Sequence, residues 1–543
     1  MRSPSRGHAA LAGITAAAVA IGAAEPVAVL TGPRSAPLIA VGGVVVDLVP
    51  EPLKQFAIAL FGTYDKIALL VGAAVLLAAF AALLGVLAAR RLAIGLAGIA
   101  GFAALGVAAA LTRAGADAAD ALPSLVGGGL GALTLWAFVA GPLRVHPGPA
   151  APATVRPATA LGPTPPPTVA ALAPEEPPAG WEPLERGDPG ARRRFLRGVA
   201  ALAGAAAVAG LGGHWLAGRR GVSAARQAVV LPTPSAAAPA VPAGADLSLP
   251  GLAPYVTPAR SFYRIDTALV VPQVDPAAWR LRIHGRVRNP IELSFADLLA
   301  RPMVERYVTL ACVSNEVGGD LIGNARWLGV PIKELLDEAD PEDGADQVVG
   351  RSVDGWTCGT PTAALRDGRD ALLAVGMNGE PLPVEHGFPV RMIVPGLYGY
   401  VSACKWVTEL EVTSFADFDA YWVPRGWAAQ APIRTQSRID TPRPRTRLTA
   451  GPVVTAGVAW AQHRGIGTVE VRVDGGPWQE ATLAPTVSVD TWVQWSWRWD
   501  ATPGEHTLQV RAAGADGATQ PEERRPVAPD GATGWHTVRV TVR

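Results

Sequence analysis

Four apolar stretches long enough to cross a bilayer, roughly 9–30, 67–89, 92–111 and 122–141, crowd the first 145 residues of this chain. That clustering forces a divided molecule. The first ~220 residues are dominated by Ala, Gly, Leu and Val, and the remainder has an ordinary globular mixture carrying most of the charge and aromatic surface. A fifth apolar segment, about 37–61, holds Asp47, Pro50, Glu51, Pro52 and Lys54. Charge and paired prolines at its centre predict an interfacial or re-entrant segment rather than a span. Arginine placement agrees. Arg2 and Arg6, Arg90 and Arg91, and Arg144 all fall on the cytoplasmic side if 37–61 does not cross.

Residues 145–190 are rich in Pro, Ala and Thr and read as a solvated linker. Next comes Arg192-Arg193-Arg194-Phe195-Leu196-Arg197, followed by an apolar run to about Ala217. A basic segment before a small-residue apolar run is a targeting signature, and here it resembles a twin-arginine export signal. A membrane anchor with basic flanks is the alternative. Either reading makes 191–220 a signal or anchor helix and puts the C-terminal half on the extracytoplasmic side of a multi-pass cell-membrane protein. Residues 221–250 read as a flexible tether.

Net charge is +1, and no Lys/Arg-rich patch with interleaved aromatics occurs, so nucleic acid is dropped as a partner. Histidines His8, His146 and His214 stand at segment ends, and no apolar span carries a central one. Neither haem nor an iron–sulfur cluster is expected.

The soluble half divides at about 425. Residues 251–425 mix short strands, such as Trp279–Gly285, Val390–Pro395 and Trp406–Val412, with short helices begun at Ser294 and near Pro331. That is an α+β domain. In 426–543, strand-like runs at Val469–Val473, Trp495–Trp499, His506–Ala512 and Trp535–Val542 are separated by turns. The pattern predicts an all-β, immunoglobulin-like sandwich with at least half of its strand tryptophans in the core.

Only three cysteines occur in 543 residues. Cys358 and Cys404 read as separate, distant thiols that fill core or line a pocket. Cys312 follows an apolar strand in Arg306-Tyr-Val-Thr-Leu-Ala-Cys-Val-Ser-Asn-Glu-Val-Gly-Gly. A strand delivering one soft sulfur into a small polar turn suits a soft metal. A buried cysteine acting as a small hydrophobe is the competing account.

Several ordered blocks resemble the sulfite oxidase family of molybdopterin enzymes: Ser261-Phe-Tyr-Arg-Ile-Asp, His284-Gly-Arg-Val-Arg-Asn-Pro, Thr309-Leu-Ala-Cys-Val-Ser-Asn, Gly323-Asn-Ala-Arg-Trp-Leu-Gly-Val, Met377-Asn-Gly-Glu-Pro-Leu-Pro and His386-Gly-Phe-Pro-Val-Arg-Met-Ile-Val-Pro-Gly. The resemblance covers about 250–543. It implies a sulfite-oxidase-type molybdopterin domain followed by an Ig-like domain of the kind that mediates homodimers. It also implies a molybdenum–molybdopterin cofactor with Cys312 as the metal ligand.

By the same resemblance, Tyr263 and Arg264 lie beside the cofactor, and His386 and Arg391 hold the pterin and its phosphate. Ser402 and Lys405 lie near a Ser-x-Lys phosphate clamp. Trp356 stands at the family's pocket tyrosine, and Asp266 where a histidine follows the arginine. Trp356, Thr357, Cys358 and Asp266 would shape the substrate side. True sulfite oxidases follow the cysteine with Gly-Asn-Arg-Arg, whereas Ser314, Asn315, Glu316 and Val317 stand here.

Losing those cations and placing a carboxylate at Asp266 disfavours a dianion. The expectation is therefore oxygen-atom transfer on a small substrate other than sulfite, with electrons passing to a quinone or cytochrome. Alternatives are an inactive membrane-anchored scaffold of the same fold, a sulfite oxidase with an unusual pocket, and a thiol catalyst at Cys312, which lacks a local His/Asp dyad.

Overall fold

The computed structural model describes residues 5–49, 60, 65–113, 116–144, 189–219 and 222–543. The chain packs as two compact units, 1–220 and 221–543. The Pro-rich linker expected at 145–190 lies almost wholly outside the described residues.

The first unit is helical: α1 (Arg6–Thr31), α2 (Pro37–Leu48), α3 (Asp65–Arg90), α4 (Leu92–Leu111), α5 (Leu122–Val139) and α6 (Pro189–Arg219). Among the described residues, five stretches are long and apolar enough to cross a membrane: Arg6–Thr31, Ala68–Arg90, Leu92–Leu111, Ala118–Val139 and Gly190–Gly213. α2 has 12 residues. At about 1.5 Å of rise per residue it falls well short of a hydrocarbon core about 30 Å thick. The rest of the 37–61 segment, from 50 onward apart from residue 60, lies outside the described residues.

Small residues set the helix packing. A Cβ at Gly13 of α1 would overlap the backbone of Ala81 on α3. One at Gly22 would overlap that of Ala206 on α6, and one at Gly127 of α5 would overlap the Ala20 carbonyl of α1. Backbone approaches of this closeness let apolar helices pack through van der Waals contact. α6 is further seated by Phe195, 1% exposed, whose ring meets Phe138 at 5.0 Å and His8 at 5.1 Å.

The second unit holds four sheets. One has five strands in the order Ile291–Ser294, Arg280–Gly285, Val407–Thr413, Gln347–Ser352 and Thr357–Pro361. Its short helix Phe295–Leu299 begins with a reciprocal cap between Ser294 and Asp297. A second sheet runs Val304–Ala311, Ile322–Pro331, Leu372–Met377 and Glu380–Pro381, with Arg391–Ile393 pairing Leu372–Met377. These two sheets and the helices Ile332–Ala339 and Thr362–Arg366 make the α+β body.

Two further sheets form a β-rich C-terminal region. One contains Gln436–Thr441, Gly451–Trp460, Val493–Ala501 and Thr482–Leu483. The other contains Arg447–Leu448, His536–Val542, Gly504–Gly514, Ile466–Val473 and Gln479–Glu480. Trp495, Trp497 and Trp499 alternate along one strand and all point inward, as the sequence predicts for a strand with one buried face. Trp460 and Trp492 belong instead to the apolar cluster of the α+β body, so the boundary expected at 425 runs through shared core.

The tether expected at 221–250 is laid down against the body along its described part. Arg226 donates to the carbonyls of Leu382 (2.7 Å) and Pro381 (2.5 Å). Ser235 N–H donates to Met303 O at 2.7 Å, and Leu247 N–H to Gln494 Oε1 at 2.7 Å. Composition alone shows the scarcity of apolar side chains there. It does not show that backbone groups find fixed partners.

Candidate functional site

Cys312 ends the strand Val304–Ala311 and opens a ten-residue loop that returns at the strand Ile322–Pro331. The loop is closed at its base. Cys312 N–H donates to Leu321 O at 2.9 Å and Asn315 N–H to Cys312 O at 3.1 Å, while Asn315 Oδ1 accepts from Leu321 N–H at 2.9 Å. The thiol is free and 9% exposed. Burial pushes it up from its ordinary range, against hydrogen bonds from the Ser314 backbone and side chain. A buried thiol so placed stays protonated until a cation stabilises its thiolate.

Tyr263 lies within the electrostatic reach of both Cys312 and Arg391, its phenol pushed up by burial first and by Cys312 second. Its ring stacks on Phe262 at 5.3 Å. Arg391 begins the strand Arg391–Ile393 and is 5% exposed. Its Nη1 donates to His386 O at 3.0 Å, and its guanidinium lies over the Trp327 ring at 5.2 Å. Its Nε is buried without a hydrogen-bond partner. Burial lowers the guanidinium to about 10. A buried cation with an unused donor is costly unless an anion completes it.

His386 donates from Nε2 to Ala259 O, 3.0 Å away. Burial, with Arg391 second, lowers it to about 4, so the ring is neutral. Only the Nε2-protonated tautomer satisfies that carbonyl.

Asp266 is the hub of a charged cluster. It accepts from Arg264 Nε at 2.8 Å and from Lys405 Nζ at 2.7 Å. Its side chain is 5% exposed. Burial lowers Lys405 to about 8, against the pull of Asp266. The carboxylate is therefore matched by two cations and is not the uncompensated negative charge that the sequence argument placed at the pocket mouth.

Ser402 and Thr357 are held elsewhere. The Ser402 hydroxyl is fully buried and donates to Leu397 O (3.1 Å) and Tyr398 O (2.9 Å). The Thr357 hydroxyl accepts from Tyr421 N–H at 2.9 Å. Trp356 is half-buried in the turn between Gln347–Ser352 and Thr357–Pro361 and packs on the main core.

Cys358 and Cys404 are not distant. Both flank Gly350 beside Met392, with Cys358 Sγ 4.0 Å from Met392 Sδ. They are fully buried and form a sulfur-lined patch of core.

Cys312, Tyr263, Arg391, His386, Lys405, Asp266 and Arg264 thus form one electrostatically linked group. A model described as the oxidoreductase molybdopterin binding domain matches residues 268–422, the span that carries Cys312, His386, Arg391 and Lys405. The mitochondrial sulfite oxidase of Rattus norvegicus is 32% identical over 272 residues, 42% of this chain and 49% of that protein. An uncharacterized oxidoreductase, YuiH, of Bacillus subtilis is 33% identical over 167 residues, 31% of this chain and 81% of that protein.

This chain belongs to the sulfite oxidase family of molybdopterin oxidoreductases.

The chain spans about half the length of the rodent sulfite oxidases it matches, 49% and 52%. Among solved structures, the sulfane dehydrogenase SoxCD of Paracoccus pantotrophus aligns with 26% identity and a TM-score of 0.48, over 54% of this chain and 82% of that one. Family membership implies an oxidoreductase-type domain that takes a molybdenum cofactor.

The donor set fits such a group on this protein's own evidence. Cys312 offers one soft sulfur, and the orphaned Arg391 Nε offers a buried anion contact. When bound, such a cofactor would supply two-electron redox chemistry.

Sequence reasoning missed Trp327, the aromatic floor under Arg391. It also missed Arg438 and His536, which reach the Cys312 loop from the C-terminal region. Both lie more than a hundred residues beyond Cys312 in strand-like runs, where spacing gives no sign of contact.

Proposed function

We propose that this protein is a membrane-anchored molybdenum–pterin oxidoreductase that transfers an oxygen atom to or from a small substrate other than sulfite. It exchanges electrons with a quinone or cytochrome partner. One observation carries the reading: a free, loop-borne Cys312 thiol shares an electrostatic neighbourhood with a buried Arg391 whose Nε lacks an acceptor. Cys312 is the metal ligand. Arg391, with Lys405 beside it, grips the cofactor's phosphate, and neutral His386 and Tyr263 hold the pterin side. Arg264 and Asp266 shape the substrate mouth, and Trp356 is its aromatic wall. Ser402 is left a structural hydroxyl, and Thr357 a structural acceptor.

The substrate argument rests on Glu316 and Val317 at the positions where the family carries arginines. Glu316 is exposed on the Cys312 loop, where it repels an approaching dianion through solvent. One observation favours a second reading, a sulfite oxidase with an unusual pocket: Arg264, Lys405 and Arg391 outnumber Asp266, leaving a positive site. A bound phosphate would consume that excess.

Arginine placement supports a cytoplasmic N-terminus, α2 lying at the interface, and the second unit outside. α6 packs on α1 through Gly22 and Ala206, which supports a retained anchor. The paired C-terminal sheets support an Ig-like sandwich serving as a homodimer surface.

Steady-state assays on sulfite and on a neutral sulfoxide test the substrate claim. Turnover of the sulfoxide with poor sulfite kcat/KM is expected, as is a gain of about tenfold on sulfite in Glu316→Arg. Efficient sulfite oxidation by the wild type would sink it.

A further inference from the structure

The tip of the Cys312 loop is held from outside its own sheets. Arg438, on the strand Gln436–Thr441, donates from Nη1 to Gly319 O at 2.7 Å. Its Nε and Nη2 go to Asp440, at 2.5 and 3.3 Å, and Asp440 accepts in turn from Ala253 N–H at 2.9 Å. The guanidinium is thereby fixed as a rigid fork.

His536 begins the neighbouring sheet's strand His536–Val542. Its Nδ1 accepts from Ile439 N–H at 2.9 Å, so a neutral ring carries its proton on Nε2. The Nε2–Cδ2 edge presses on Gly318, where a Cβ would overlap the ring. Gly318 has φ +82°, a conformation and a clearance that only glycine provides at no cost.

The strand leading into Cys312 is fastened to the same region. Thr309 N–H donates to Asp490 O at 2.9 Å, Gln462 Nε2 to Thr309 O at 3.1 Å, and Trp492 N–H to Thr309 Oγ1 at 2.8 Å.

We propose that His536 and Arg438 are positioning residues for the metal-binding sulfur: the C-terminal β-region fixes where the Cys312 loop sits and, through it, the sulfur. This rests on the reading of Cys312 as the metal ligand. A loop clamped at tip and base presents its thiolate at one distance and angle, and small displacements at a reacting centre cost much of its rate.

The test uses the full-length, membrane-extracted protein and the variants His536→Ala, His536→Phe and Arg438→Gln. In holoprotein the readouts are the sulfur-to-molybdenum charge-transfer absorption and kcat against KM. In metal-free protein the readout is the alkylation rate of Cys312 by iodoacetamide, mapped by mass spectrometry, with buried Cys358 and Cys404 as internal references.

His536→Ala and Arg438→Gln are expected to retain molybdenum, shift the absorption band, and lower kcat by about 10- to 100-fold at nearly constant KM. Both should speed Cys312 alkylation. His536→Phe keeps the ring against Gly318 and should recover most of the band position. Variants that lose thermal stability but keep the wild-type band and alkylation rate would overturn the proposal. Wild-type protein without molybdenum would overturn the ligand reading instead, while the alkylation arm still decides whether these residues position the loop.

Discussion

Arg391 carries the sharpest consequence at the scale of single residues. In cofactor-free protein it is a buried cation with an unsatisfied Nε and a ring beneath it. Arg391→Met should raise the unfolding free energy of cofactor-free protein by about 1–2 kcal/mol, because an uncompensated charge leaves the interior. The same variant should retain cofactor about 10- to 100-fold less tightly, having lost a charge-assisted contact. Chemical denaturation and pterin release measure the two arms.

His386 gives a pH dependence of definite sign. Its folded value of about 4 lies below the ordinary histidine value, so the unfolded chain binds the extra proton. Stability is whole above about pH 6.5 and falls as pH drops toward 4, by at most about 3 kcal/mol for this residue. His536, also lowered to about 4 by burial, acts in the same window. Cofactor-free His386→Gln should lose roughly half of the decline that the two histidines produce. An unchanged pH profile would mean that His386 is charged in the folded state.

At the scale of elements, the hairpin of Val304–Ala311 and Ile322–Pro331 sets the Cys312 loop, and Asn324 ties it to the rest. Its side chain accepts from Thr309 Oγ1 at 3.1 Å and donates to Tyr255 O at 2.9 Å. Its backbone N–H reaches Thr257 Oγ1 at 3.1 Å. Asn324→Ala should cost about 2–4 kcal/mol, from lost hydrogen bonds and a small cavity, measurable by urea unfolding.

Elements with local signals were legible from sequence. Alternation gave the strands Arg280–Gly285 and Val493–Ala501, and Ser294 with Asp297 gave the helix start. Ordered blocks drew attention to Cys312, Arg391 and His386, and the structure brings these three into one neighbourhood. What stayed hidden depends on tertiary pairing. The charge balance of Asp266 is set by Lys405, 139 residues away. The Ser402 hydroxyl is claimed by carbonyls four and five residues back. The approach of Cys358 to Cys404 follows from strands pairing around Gly350.

The whole molecule joins a helical unit to a second compact unit. Five helices of spanning length and composition among the described residues predict that full-length protein stays in the membrane pellet after alkaline carbonate washing. A truncation to 222–543 should be soluble and retain the β-rich circular dichroism of its four sheets. Release of the full-length chain by carbonate would contradict the anchor.

The account turns on the bond between Cys312 and molybdenum, and X-ray absorption at the molybdenum edge measures it most directly. Purified full-length wild-type protein should contain stoichiometric molybdenum and show one more sulfur neighbour than Cys312→Ser, whose fold and pterin are otherwise retained. Equal sulfur coordination in the two proteins, or a folded wild-type chain free of molybdenum, would contradict it.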